Sequence, residues 1–193
     1  MIWHTCGYFG KEALESIDRD GALGIALGKL HPLLSLPRSE VFSSTADPLA
    51  GGTYCLGGDE AAISLGERVV GALGGTFLKL HPGQEHDRRY HASAALLCGG
   101  YVALTEACVA ALSTTLSADE PLERAREVLS ELMRSVEDRL RAGMGPRALT
   151  GPAARGAREL VEGHLEALGE VDRATEELYR ALLVHMERLR KKS

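Results

Sequence analysis

The sequence predicts an α/β layer of about four strands followed by an all-helical region. Three observations lead there. Up to about Leu80, short β-like runs alternate with helical patterns and glycine-rich turns. From Asp87 onward every periodic segment has helical spacing. Between them HPGQEHD, from His81 to Asp87, changes the texture of the chain and marks a boundary. The expected division is 1–82 for the α/β region and 83–193 for the helical one.

The candidate strands are IWH (2–4), ALGIAL (22–27), TYCL (53–56) and TFLKL (76–80). KEALESI and DEAAISLGERVVGAL lie between them with apolar residues at helical spacing. The second places Ala62, Leu65, Val69 and Leu73 on one face, with Asp59 as N-cap and Gly74 or Gly75 as stop. The segment from Asp87 to Leu116 is apolar nearly all round and holds Gly99 and Gly100. That pattern fits a central helix packed closely by neighbours or by a second subunit, rather than a membrane span, given its hydroxyl residues and Glu106. The S-x-x-E box of Ser117 and Glu120 introduces a stripe of Leu122, Ala125, Val128, Leu129, Leu132, Met133, Val136 and Leu140. Two further stripes follow, one of Leu160, Val161, His164, Leu165 and Leu168, the other of Val171, Ala174, Leu178, Leu182, His185 and Leu189. Pro152 suits the first turn of a new helix, with Thr150 or Gly151 as cap and Arg155 near its N-terminal end.

Composition narrows the function classes. The chain has 193 residues, 45% hydrophobic and 25% charged, which is enough to bury a core without disulfides or metals. A formal charge of −5 speaks against nucleic acid, and the basic run RLRKKS reads as a solvated helix end. Four cysteines without a CxxC pair, behind an N-terminus lacking signal-peptide layout, predict reduced thiols in a cytoplasm.

A nicotinamide enzyme of the Rossmann type needs a glycine fingerprint between its first strand and helix. None is present; GALGIALG spaces its glycines as GxxGxxxG and no helix follows. His81, His86 and His91 recur at five-residue spacing, which does not fall on one helical face, so no metal site is predicted. Cys6 and Cys98 lack local support as nucleophiles and read as small packing residues.

Four motifs nevertheless occur in order: HTCG (4–7), KLHPLLSL (29–36), DRRYHASAALLCGGYVAL (87–104) and LTGPAARG (149–156). Together they resemble the Rossmann-like proteins that carry domain of unknown function 2520, within the 6-phosphogluconate dehydrogenase-like superfamily. The resemblance implies a partial Rossmann-like, mostly parallel sheet followed by a helical 6-phosphogluconate dehydrogenase-like C-terminal domain. Family members usually begin with the cofactor-fingerprint half of the Rossmann domain; that half is expected to be missing here, lost or supplied by another polypeptide.

The resemblance also assigns roles. His4, Thr5 and Cys6 would follow a strand beside the nicotinamide of NAD(P), and His31 with Pro32 would follow the next strand. Tyr90 or His91 would give a proton to a carbonyl or imine. Arg155, Thr150, Cys98 and His31 would contact the substrate, Arg155 through its carboxylate. Each has a plainer alternative: the histidines bonded to nearby backbone, Arg155 paired with an acid across a helix interface. Four departures (Cys6 for Ser in HTSG, Leu34 for Gln in HPLQ, Cys98-Gly99 for Ser-Asn, Ala157 for Asp) remove or weaken hydrogen-bonding groups. The sequence thus leaves two readings: a divergent or partial NAD(P)-dependent oxidoreductase of a small keto or imino acid, and a non-catalytic remnant acting as a dimeric binding or regulatory protein. A homodimer is expected in both, with a small carboxylate as ligand in the first, and neither nucleic acid nor membrane as partner.

Overall fold

The computed structural model describes residues 1–18, 20–34 and 47–192. The Ser35 and Leu36 end of KLHPLLSL and the terminal Ser193 of RLRKKS lie outside them. The chain divides into two compact units, Met1–Gly100 and Tyr101–Ser193.

The first unit holds β1 (Ile2–His4), a 3₁₀ helix (Lys11–Ile17), β2 (Leu27–Pro32), β3 (Thr53–Gly58), α1 (Glu60–Ala72), β4 (Thr76–Lys79) and the start of α2 (Gln84–Ser113). The sheet order is β1-β2-β3-β4. β1 and β2 run parallel, as do β3 and β4, and the two pairs meet antiparallel at β2 and β3. The sheet is therefore mixed and mostly parallel, as expected, and a helical region follows it.

Because side chains alternate along a strand, the sheet has two distinct faces. Leu30, Tyr54 and Leu56 point to the α1 side, where Tyr54, Leu56 and Val70 form a core flanked by Leu30 and Leu73. Position 28 faces the same way, two residues before Leu30, and its neighbours leave room there only for glycine. A Cβ there would lie 2.7 Å from Trp3 Cδ1 and 2.8 Å from the Cβ of Ala62. The other face carries His4, Lys29, His31 and Cys55, since the ladder pairs His4 with Lys29 and His31 with Cys55.

The structure departs from three local expectations. ALGIAL is not a strand. Asp18 accepts the backbone N–H groups of Leu23 at 3.0 Å and Ile25 at 3.1 Å, while Gly21 and Gly24 take positive φ, so the segment is folded into turns and β2 starts at Leu27. His31 and Pro32 accordingly end the strand rather than follow it. Asp59 stands at the N-cap position of α1, but its carboxylate bonds Leu27 N–H at 2.9 Å and Lys11 Nζ at 2.6 Å instead of capping the helix.

The second unit contains the end of α2, α3 (Leu122–Arg141), a 3₁₀ turn (Gly145–Ala148), α4 (Gly151–Arg155), α5 (Arg158–Val171) and α6 (Arg173–Arg190). The Ser117 and Glu120 box does not cap α3. It closes a turn, with Glu120 N–H donating to Ser117 O at 3.0 Å, and Pro121 takes the N-cap position. Val109, Ala125, Ala148 and Leu165 are buried, yet Leu122, Leu132, Leu140 and Leu160 stay exposed, so the predicted dry faces are only partly covered within this chain. Thr150 and Pro152 occupy the cap and first turn of α4 as expected. Gly156, at φ 68°, stops that helix after five residues, which puts Arg155 in its last position and not near its N-terminal end.

The expected burial of the central helix by neighbouring elements is not found either. α2 is long and apolar enough to cross a bilayer, and only 6% of its most apolar window is buried. Leu96 is 77% exposed and Leu97 70%.

Candidate active site on the polar face of the sheet

A sheet face covered by a helix normally makes an apolar interface. Here it is polar. The first turns of α2 lie against His4, Lys29, His31 and Cys55, and they contribute Asp87, Tyr90 and His91, which share one helical face at spacings of three and four residues. Lys29 and His31 share one strand face at a spacing of two. The two periodicities mesh, so that Lys29 meets Asp87 and His31 meets Tyr90.

His31 Nδ1 and the Tyr90 hydroxyl share a hydrogen bond of 2.8 Å, with ring centroids 5.7 Å apart and nearly perpendicular. Burial, then the charge of Lys29, and then His91 and His4, hold the His31 imidazole below the ordinary histidine value, so it is neutral near pH 7. Burial also pushes the Tyr90 phenol well up, with Cys55 beside its hydroxyl. The buried Cys55 thiol is itself pushed up by burial. This is a protonated phenol next to a neutral imidazole; the raised phenol holds its proton more tightly than a free one, and the hydrogen bond gives that proton a path to the ring.

Lys29 Nζ is fully covered and forms an ion pair with Asp87 Oδ1; it also lies 3.5 Å from Gly7 O and 5.3 Å from the Tyr90 ring centroid. Gly7 closes the cluster: a Cβ there would sit 2.8 Å from His91 Cδ2 and 2.9 Å from His31 Cε1 and Nε2. His91 also meets the Tyr8 ring edge-on at 5.9 Å. His4 takes the structural role open to it. Its Nε2–H donates to Gly10 O at 2.7 Å, and its Nδ1 accepts Cys6 N–H at 3.2 Å.

Of the residues singled out in the sequence, His31 and His91 thus converge on Gly7, Tyr90 is bonded to His31, and His4 flanks them. Thr5 and Cys6 are exposed in the turn after β1. Cys98 lies seven residues beyond His91 on the same stripe of α2, exposed and about 10 Å further along the axis. Thr150 and Arg155 belong to the second unit, where Arg155 shares a cavity of about 630 Å³ with Arg158, Glu162, Arg180 and Glu187. His81 and His86 have ring centroids 5.6 Å apart. The sequence reasoning missed Lys29 as a site residue, together with Asp87, Cys55 and Gly7. The signal was available in KLHP, because a strand through it puts Lys29 beside His31.

The comparisons with known proteins can be set against this geometry. Residues 53–185 match the domain of unknown function DUF2520. The chain belongs to the DUF2520 family. The matched span takes in Cys55, Asp87, Tyr90, His91, Cys98, Thr150 and Arg155; His4, Gly7, Lys29 and His31 precede it. Two solved structures extend the likeness over nearly the whole DUF2520 chain. One is protein TM1727 from Thermotoga maritima, with a TM-score of 0.72 at 19% identity over 98% of this chain and 68% of that one. The other is a Bacteroides fragilis protein, BF3122, provisionally named an NADP oxidoreductase, with a TM-score of 0.71 at 15% identity over 96% of this chain and 64% of that one. The DUF2520 chain thus spans about two thirds of the length of each. No curated protein matches it.

The fold raises the question of a dinucleotide. Its phosphates need helix N-termini with free amides and no opposing charge. Among the described residues the helix starts near the cluster carry acids instead: Glu12 in the 3₁₀ helix, Asp59 and Glu60 at α1, and Glu85 and Asp87 at α2. The described residues of this DUF2520 chain therefore do not fit the phosphate end of such a cofactor.

Proposed function

We propose that this chain is the substrate side of an oxidoreductase-like protein acting on a small keto or imino acid, with the dinucleotide phosphates held by groups other than the described residues. The observation that carries the reading is the His31–Tyr90 hydrogen bond, set in a polar layer where sheet and helix would otherwise pack apolar groups. In this reading Tyr90 gives its hydroxyl proton to the substrate oxygen or nitrogen. His31, neutral and bonded to that hydroxyl, relays the replacement proton, taking one from solvent at Nε2 as it gives one from Nδ1 to the phenolate, and His91 stands beside it on Gly7 as the second donor. The family resemblance alone assigns Arg155 to a substrate carboxylate, with Thr150 and Cys98 as further contacts. The name of the Bacteroides fragilis neighbour supports NADP as the cofactor. A reduced nicotinamide would supply the hydride.

The test is NADPH consumption with a panel of small 2-keto and imino acids, alongside NADPH titration. The expected result is weak but saturable binding, the phosphates having no site among the described residues, and turnover with at least one acid, falling on the order of 10²- to 10⁴-fold in Tyr90→Phe. Neither binding nor turnover would leave the second reading, a non-catalytic dimeric binding or regulatory protein. The acidic helix starts and the uncovered α2 favour that one. In both readings we propose a homodimer in which a second copy covers Leu96, Leu97 and Val102.

A further inference from the structure

Lys29 has no part in the proton transfer just described, yet among the described residues it is the most completely buried charge in the first unit, with its side chain fully covered. Its partners tie three segments together. The ammonium pairs with Asp87 in the first turn of α2, reaches Gly7 O at 3.5 Å in the turn after β1, and lies over the ring of Tyr90 one turn further along α2. The other Asp87 oxygen is wedged against Gly10, where a Cβ would come within 2.5 Å of Oδ2; Gly10 O in turn anchors His4. Gly57 lies opposite Lys29 in the ladder, its Cβ position at an ordinary contact distance of 3.8 Å from Lys29 Cε.

An apolar pair of similar volume could clamp strand to helix without the desolvation that two buried charges suffer. A charged pair here does something an apolar pair cannot: it sets a fixed field on its neighbours. We propose that Lys29, paired with Asp87, is the positioning residue of this site, setting Tyr90 over β2 and supplying the fixed positive charge that His31 faces. This rests on the reading of His31 and Tyr90 as the proton-passing pair. The groups around His31 are Lys29 on its own strand, His4 on β1, Cys55 on β3, and Asp87, Tyr90 and His91 on α2. After burial, Lys29 is the first of the charges that keep His31 unprotonated.

The experiment uses the full chain and needs neither cofactor nor substrate. The variant Lys29→Met/Asp87→Leu removes both charges and keeps an apolar clamp; Lys29→Gln/Asp87→Asn removes both and keeps a hydrogen bond. The His31 ring is titrated by NMR in each, and folding is checked by circular dichroism. The expected result is a folded variant in which the His31 midpoint moves up towards the ordinary histidine value and the Tyr90 ring resonances change, while Lys29→Arg keeps the midpoint low. A folded neutral pair with an unmoved His31 midpoint overturns the proposal, and so does failure of both neutral pairs to fold, since either assigns the pair to the fold alone. Because no turnover is read, absence of reductase activity would not decide this outcome, and an unmoved midpoint would leave the reductase reading standing.

Discussion

Alanine at Gly7 tests whether the cluster is as closely fitted as its distances indicate. Gly7 is buried and its φ is not positive, so alanine is allowed by the backbone. With no steric conflict the substitution would stabilise the chain by about 0.4–1 kcal/mol, by restricting the unfolded state. The added Cβ would instead lie 2.8 Å from His91 Cδ2 and 2.9 Å from two His31 ring atoms. Comfortable carbon contacts begin near 3.5 Å, so both rings must retreat by roughly 0.7 Å. His31 cannot do so and keep its 2.8 Å bond to Tyr90. Overpacking of this kind costs about 1–3 kcal/mol, and the net expectation is a loss of about 1–2 kcal/mol. Urea unfolding reads the energy, and the His31 and His91 ring resonances read the displacement. A raised urea midpoint with unmoved rings would refute the reasoning, because sign and geometry would then both point to empty space beside Gly7.

Three further expectations follow. Asp59→Ala should cost about 1.5–3 kcal/mol by urea unfolding, since it removes the charged acceptor of the buried Leu27 N–H. That backbone bond, with Lys11 second, holds the Asp59 carboxyl below its ordinary value, so its contribution is present above about pH 4 and lost as the pH falls through the folded midpoint. The variant should show a flatter acid limb, and an unchanged one would contradict the assignment. His31 titrates lower in the folded chain than in the unfolded one, so the unfolded chain takes up the proton first and stability should drop as the pH falls below about 6.5. Urea midpoints compared between the native chain and His31→Gln should show that part of the slope only in the native chain. Finally, Leu96→Glu/Leu97→Glu should convert a dimer to a monomer in sedimentation; a native chain already monomeric at high concentration would overturn the dimer proposal.

The alternation of strands and helices and the helix start at Pro152 were legible in the sequence, because each depends on local spacing or backbone chemistry. What was not legible depended on partners distant in the chain. Apolar ALGIAL outranks KLHP by β-propensity, and only the Asp18 carboxylate, by capturing the amides of Leu23 and Ile25, moves the strand to Leu27. That displacement hid Lys29, since a lysine read as lying in a loop raises no question of burial. Asp59 shows the same limit. Its position before α1 reads as a cap, but a buried amide on β2 competes for the carboxylate and wins. His31, Tyr90 and His91 were found through the family motifs; their mutual contact follows only from α2 running along β2.

The single sheet of the first unit has one face filled by Tyr54, Leu56 and Val70, all drawn from the stretch between Thr53 and Lys79. Its other face is assembled from residues as far apart as His4 and His91. Local opening starts where apolar contacts are few and chain closure is long. The amides of β3 and α1 should therefore be among the slowest in the first unit to exchange with deuterium, while β1 and the turn at Gly7 breathe first. The most adaptable rim of this sheet would then be the one that borders its acid–base groups.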